Sequence, residues 1–277
     1  MTDTPAPDMI VHLDSLPDVL RYLDRTPAQW RGDASHKPGS NSWDLGLGWK
    51  GAEAMCKTGW SEGGKDMRMV LKGLPRTQGS AMEIRYNPVR GQFSFGRYVT
   101  GNPVCFRRKV KDADDSVAPI VRLAINNATP FTSKAKNLHN YGAAIAAAVE
   151  ALELAGTRVE LSVHNVCLCG DGRKRLVTGW TIKHAGEPLD MAAVAFSIAH
   201  PAAQRRIGFA LKERTPRAYE DSGYGYPRDL ALTDVKDAPA LTVVLNGSRD
   251  VNSHAATPAD AVAYVQERIS EALGNRA

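Results

Sequence analysis

The run Pro119-Ile120-Val121-Arg122-Leu123-Ala124-Ile125, followed by the loop Asn126-Asn127-Ala128-Thr129-Pro130, opens the stretch from Val117 to His184 that decides the fold. The apolar run reads as a strand, and the polar loop leads into an alanine-rich helix. From Tyr141 to Ala155 nearly every residue is a strong helix former, and Ile145, Ala148, Val149, Leu152 and Ala155 recur at three and four spacing on one face. Gly156 stands where a left-handed C-terminal cap belongs. Arg158 to Val166 alternates apolar and polar residues, which predicts a strand with one wetter face. The turn Cys169-Gly170-Asp171-Gly172 separates it from a third strand at Leu176 to Lys183, so the two read as a hairpin.

Working outward, Leu189 to Glu213 has helical periodicity, with Met191, Val194, Ala195, Ile198, Ile207 and Leu211 inward, and Pro201 must kink or split it. Ala240 to Asn246 is a compact buried strand, and Thr257-Pro258 supplies an N-cap and a first-turn proline for a last helix. Strands alternating with helices predict an α/β domain over residues 116–277, a three-layer, mostly parallel sheet with helices on both faces. Residues 1–115 read as a smaller, irregular α+β N-terminal region. It starts with an amphipathic helix at Leu16 to Leu23, with a linker from Gly32 to Ser42, and uses Trp43, Trp49 and Trp60 as packing anchors around a short helix at Ala52 to Lys57. Gly46, Gly48 and Gly51 satisfy G-x-G-x-x-G. No buried strand precedes them and no acidic residue closes a strand-helix-strand unit, so they are not a dinucleotide fingerprint.

With 277 residues, 43% of them apolar, the chain can build one large domain or one domain with a smaller companion. No apolar run approaches the roughly 18 residues of a membrane span, and no secretory signal is recognisable. Four cysteines in such a length do not make a disulfide framework, so a cytoplasmic location without membrane contact is expected.

The net charge of +5 matters less than its placement. Arg85, Arg90, Arg97, Arg107, Arg108, Lys109 and Lys111 fall between residues 85 and 111 with no acidic residue among them, interleaved with Tyr86, Phe93, Phe95, Tyr98 and Phe106. Cations plus flat side chains bind phosphate backbones and stack bases, which makes Arg85, Arg90, Phe93, Phe95, Arg97, Tyr98, Arg107, Arg108 and Lys109 nucleic-acid-binding candidates. The same pattern also describes half-buried strands with solvated arginines.

No nucleophile elbow, Walker loop, H-E-x-x-H or kinase signature occurs, and no catalytic residue is assigned. His164, Cys167 and Cys169 are zinc-type ligands, but alternation along a strand puts His164 and Cys167 on opposite faces, so a buried cysteine pair is expected rather than a metal centre. His139 and His200, at helix ends, read as caps or packing groups. No cofactor is expected.

The order from Val117 onward, with strand, polar loop, helix, strand, hairpin strand and then helix-strand-helix, resembles the von Willebrand factor A fold. In that family the first strand ends in a D-x-S-x-S loop that binds a divalent cation. The aligned residues here are Asn126, Ala128 and Pro130, which lack the carboxylate and hydroxyl ligands, so the resemblance implies a degenerate, metal-free domain. Leu16-Pro17, Gly59-Trp60-Ser61-Glu62-Gly63, Arg97 to Pro103, Gly142 to Leu161 and Ala203 to Phe209 together look like an uncharacterised family of tailed-bacteriophage proteins. That likeness implies a phage protein acting in the cytoplasm of the infected bacterium, and it carries over no catalytic residue.

Two functional readings follow. The first is a non-enzymatic protein-interaction module that holds an unidentified partner protein through strand-end loops, with Asn126, Asn127, Thr129, Thr132, Asn246, Arg249 and Asp250 as candidates. The second is a DNA- or RNA-binding protein using segment 85–111. An enzyme is the third, and it needs distant groups such as His139, Asp221 and Arg249 to converge.

Overall fold

The structure is a computed structural model that describes residues 7–40, 44–73, 83–87, 92–93, 106–110, 119–130, 132–170, 172–221, 223–238, 241–246 and 251–274. Of residues 83–87, 92–93 and 106–110 only the backbone is described. Strand β1 (Met9–Leu13) opens the chain, and β2 (Glu83–Asn87), β3 (Gln92–Phe93) and β4 (Phe106–Val110) form a small antiparallel sheet in the order β2-β4-β3. The main sheet adds β5 (Ile120–Asn126), β6 (Arg158–Cys169), β7 (Lys174–Lys183), β8 (Tyr226–Pro227) and β9 (Thr242–Leu245). Its order is β1-β7-β6-β5-β9, with β8 paired to the end of β6. β5 runs parallel to both β6 and β9, β1 runs parallel to β7, and β6 and β7 are the expected antiparallel hairpin.

Among the described residues the helices are α1 (Leu16–Arg25), α2 (Asp33–His36), α3 (Gly48–Thr58), α4 (Ser61–Gly73), α5 (Ala135–Leu154), α6 (Met191–Val194), α7 (Phe209–Glu213), α8 (Val251–His254) and α9 (Pro258–Gly274). Helix α5 begins six residues before the expected start at Tyr141. Its polar first turns are tied down from outside, Asn137 Nδ2 donating to Asn252 Oδ1 at 3.0 Å and Asn140 Nδ2 to the Ala255 carbonyl at 3.0 Å. It ends as expected at Gly156 (φ 86°), where the Thr157 N–H bonds Leu152 O and the Gly156 N–H bonds Glu153 O, the two closures of a Schellman motif. The 191–213 helix is split at Pro201: α6 runs into a π-helical turn at Ala195–Ala199, and a second, Ala203–Gly208, runs into α7. His200 Nδ1 accepts the Ala202 N–H and so caps the second half.

Two expectations are corrected. The helices do not cover both sheet faces. Val121, Leu123, Ile125, Val159, Leu161, Val163, Trp180, Val243 and Leu245 all share one hydrophobic cluster with residues of every helix from α1 to α9. The opposite face, with Ile10, Ala124, Val166, Val177 and Val244, is covered by segment 228–238 through Leu230 and Val235. That segment is anchored by Arg175, which donates to Asp234 Oδ1 at 2.9 Å and to the Asp229 carbonyl at 2.7 Å. β6 is consequently buried on both faces, including Ser162 and His164, instead of having one wet side.

Elements on both sides of residue 115 share this helical cluster. β1 lies at the edge of the main sheet, and α1 to α4 contribute Leu16, Val19, Leu23, Ala34, Ala52, Cys56 and Met67 to its helical cluster. Glycines allow the close approach: a Cβ at Gly59 (φ 68°) would lie 2.4 Å from the Ala192 carbonyl carbon, and one at Gly142 would meet the Met67 methyl at 2.3 Å.

Candidate functional site

At the C-terminal ends of β5 and β9 four of the seven expected contact residues, Asn126, Asn127, Thr129 and Asn246, bond to other parts of the fold. Asn126 and Asn127 are buried. Asn126 Nδ2 donates to the Arg228 carbonyl at 2.8 Å and to Asn246 Oδ1 at 3.1 Å, and Asn246 Oδ1 also receives the Leu230 N–H at 2.7 Å. Asn127 Oδ1 accepts from Asn165 Nδ2, and the Thr129 hydroxyl donates to Gln204 Oε1 at 2.6 Å. Thr132 is exposed, its carbonyl accepting from Asn252 Nδ2. Arg249 and Asp250 lie outside the described residues. The side chains of Asn126, Asn127 and Asn246 thus knit the loops to one another.

The small sheet assembles part of the basic segment. Arg85 is in register with Arg108, Tyr86 with Arg107, and Ile84 with Lys109. On the other side of β4, Gln92 pairs with Arg107 and Phe93 with Phe106. Because alternate residues of a strand fall on opposite faces, Arg85, Arg108, Phe93 and Phe106 share one face, and Tyr86, Arg107, Gln92 and Lys109 share the other. Five of the nine sequence candidates, Arg85, Phe93, Arg107, Arg108 and Lys109, therefore meet in one three-stranded element. Arg90, Phe95, Arg97 and Tyr98 lie outside the described residues. Gln92 was missed, since one polar residue between Gly91 and Phe93 carries no periodic signal.

The histidines occupy separate places. His139 and His200 pack edge-on against Trp60 at 4.9 and 4.7 Å. Burial holds the pKa of both below the ordinary histidine value, His200 at about 4, so they are neutral packing groups at neutral pH. The charge of Asp221, the second member of the enzymatic trio, slightly raises both Cys167 and Cys169 at the end of β6.

His12 of β1 and His164 of β6 are both in register with Gly179 of β7, and their rings stack at 4.9 Å over the gap that residue leaves. His12 Nε2 contacts Thr181 Oγ1, His164 Nε2 contacts Ser162 Oγ, and both Nδ1 atoms are buried without a hydrogen-bond partner. His12 also lines an open groove of roughly 500 Å³ beside α1, together with Asp14, Asp18, Arg21, Tyr22 and Arg25. Gly179 has no room to grow: an added Cβ would sit 2.2 Å from the Val163 carbonyl oxygen and 3.2 Å from His12 Nδ1. Gly179→Ala is expected to cost about 3 kcal/mol by overpacking, read as a lowered urea midpoint. An unchanged midpoint would show that the strands part freely there.

Strand β6 holds its alternation as far as Cys169, so His164 faces the 228–238 side while Cys167 faces the helices. No curated protein and no solved structure matches the chain. A single family model spans residues 3–273, across both the N-terminal helices and the main sheet, and the chain belongs to that family, described as a domain of unknown function (DUF7192).

Proposed function

We propose that this protein binds a nucleic-acid strand on the β2-β4-β3 sheet. One observation carries the reading: the rung that sets Arg85 opposite Arg108 next to the rung that sets Phe93 opposite Phe106. Like charges directly across a ladder destabilise it unless an anion lies between them. A phosphate backbone supplies that anion, and the neighbouring phenylalanines offer a stacking platform for bases of any identity. The other face repeats the theme with Tyr86, Arg107 and Lys109. Glu83, opposite Val110, closes the far end of the first face and favours binding at the arginine end.

Fluorescence polarisation with labelled single-stranded DNA, duplex DNA and RNA tests the reading. Affinity is expected to fall steeply between about 50 and 200 mM salt. Replacing Arg107, Arg108 and Lys109 together by alanine should weaken binding at least tenfold and lower the salt slope by about 2 to 3. Absence of binding at low salt, or an unaltered affinity in the triple variant, refutes it.

A second reading, a non-enzymatic protein-interaction module, is favoured by Tyr226 and Leu232. They are 64% and 44% exposed, and in sequence they flank Arg228 and Leu230, whose backbone bonds Asn126 and Asn246. A partner that co-purifies with the tagged chain and is lost on Tyr226→Ser supports it. We further read β5 to β9 as a degenerate von Willebrand A-like core, on the order β7-β6-β5-β9 and the antiparallel hairpin strand. We read the family as one of tailed bacteriophages, which implies the infected bacterial cytoplasm.

A further inference from the structure

The last residues of β6, Cys167-Leu168-Cys169, put two thiols on one face of the strand. Both are buried, and their sulphurs are 3.1 Å apart. Beside them lies Lys212 of α7, 2% exposed, whose Nζ donates to the Tyr224 carbonyl at 2.9 Å. A buried ammonium is costly without an anion at hand, and after the Cys169 S–H its charge favours the thiolate form of Cys167. Cys169 is placed to donate its S–H to that thiolate, since burial and the neighbouring sulphur keep its own proton on.

What covers the pair is unusual backbone. Tyr224 adopts a left-handed conformation (φ 63°) that a bulky residue rarely takes, and Gly225 (φ 85°) passes so close that a Cβ there would lie 2.7 Å from Cys169 Sγ. Tyr224 is held over the site by its hydroxyl donating to Glu213 at 2.6 Å and by its ring stacking on Phe209 at 4.0 Å. Backbone strain of this kind, directly above a thiol pair and a buried lysine, marks a site rather than ordinary core.

We propose that Cys167 and Cys169 are a redox-active dithiol, a modification site that hydroperoxides convert reversibly to an intramolecular disulfide. The Cys167 thiolate attacks the peroxide oxygen, the O–O bond breaks, and the departing alkoxide or hydroxide takes a proton from water, leaving a sulfenic acid on Cys167. The Cys169 sulphur then attacks Cys167, the S–O bond breaks, and the hydroxide leaves as water with the Cys169 proton. The dithiol is oxidised by two electrons while the hydroperoxide is reduced to an alcohol and water. Bridging requires the sulphurs to approach from 3.1 Å to about 2.05 Å. Cys169 is the final strand residue, followed by Gly170 at φ 57°, and that end of the strand can supply the movement.

Cys56 is an internal control, because burial and then Glu53 push its thiol up, against a weaker opposing pull from Lys57. Hydrogen peroxide added to the reduced, folded, full-length chain should remove the mass of two hydrogens. Peptide mapping should place the new bond between Cys167 and Cys169, and dithiothreitol should reverse it. Alkylation of Cys167 by iodoacetamide should inflect near pH 6 and, at neutral pH, run at least about tenfold faster than at Cys56. Lys212→Met should move that inflection upward while Lys212→Arg keeps it low. Failure of the folded wild-type chain to form the bond, or a Cys167 inflection at the ordinary thiol position, overturns the proposal whether or not the Lys212 variants fold.

Discussion

Asp44→Ala is expected to cost about 3 to 5 kcal/mol, the usual penalty for leaving one member of a buried ion pair without its partner. Asp44 and Arg206 are both fully buried, and Arg206 Nε donates to Asp44 Oδ2 at 2.7 Å. The rest of the guanidinium is taken up by the carbonyls of Ala34, Lys37 and Pro38, so residues 34–38 and Asp44 close around one side chain from the π-helical turn. Burial alone would raise the Asp44 carboxyl, yet the Ser40 N–H, Arg206 and the Gly48 N–H more than offset this and hold it below the ordinary carboxylate value. Since a domain's whole stability is about 5 to 15 kcal/mol, the loss should drop the urea midpoint sharply and free the N-terminal helices from the sheet. The double variant Asp44→Leu with Arg206→Leu should lose less than the single change, because no charge is left stranded. A midpoint shift worth under about 1 kcal/mol for Asp44→Ala would show that water reaches the guanidinium.

Mild acid should be nearly as damaging. Burial first, then the Arg122 charge, lowers His12 to about 4, with Asp14 opposing and Lys236 adding slightly. His164 is held well below its ordinary value by burial, His12 and Arg122. In the unfolded chain both take up protons near pH 6.5, whereas the folded chain refuses them until much lower pH. Stability is therefore complete above about pH 6.5 and falls as pH drops towards 4, with His12 alone accounting for about 3 kcal/mol. His200, lowered to about 4 by its own burial, adds to the same loss. Thermal midpoints between pH 7 and 4.5 should decline steeply, and His12→Phe should flatten the curve. A midpoint independent of pH across that window would mean that the stacked rings protonate without penalty.

The middle of the fold was legible because its signals are local. Gly156, Pro201 and Thr257-Pro258 each act through their own backbone restrictions, and all three break or begin helices where expected. Thr257 Oγ1 accepts the Asp260 N–H at 3.2 Å, as an N-cap must. What depended on distant partners was not legible. Met9 to Leu13 is a five-residue strand paired with β7, and no periodicity in so short a run names that partner. The one-sided helical layer is set by where α1 to α4 pack, a choice that amphipathic spacing leaves open. His12 and His164 meet only because both register on Gly179. The buried polar Asn126 resembled a contact residue because its bonds to Arg228 and Asn246 come from more than a hundred residues away. For the basic segment, composition left open which cations share a face, and the register decides it.

The placement of β1 has a consequence for biosynthesis. Met9 pairs with Leu176 and Leu13 with Trp180, so the first strand leaves the ribosome long before the edge that receives it exists. At ordinary translation speeds that interval is on the order of ten seconds. During it Val11, Leu16, Val19 and Leu23, all destined for burial, have only water or a chaperone to cover them. β1 is translated well before its partner yet is among the last strands to find its place, which makes the interval before β7 emerges the stage most open to holdases and proteases.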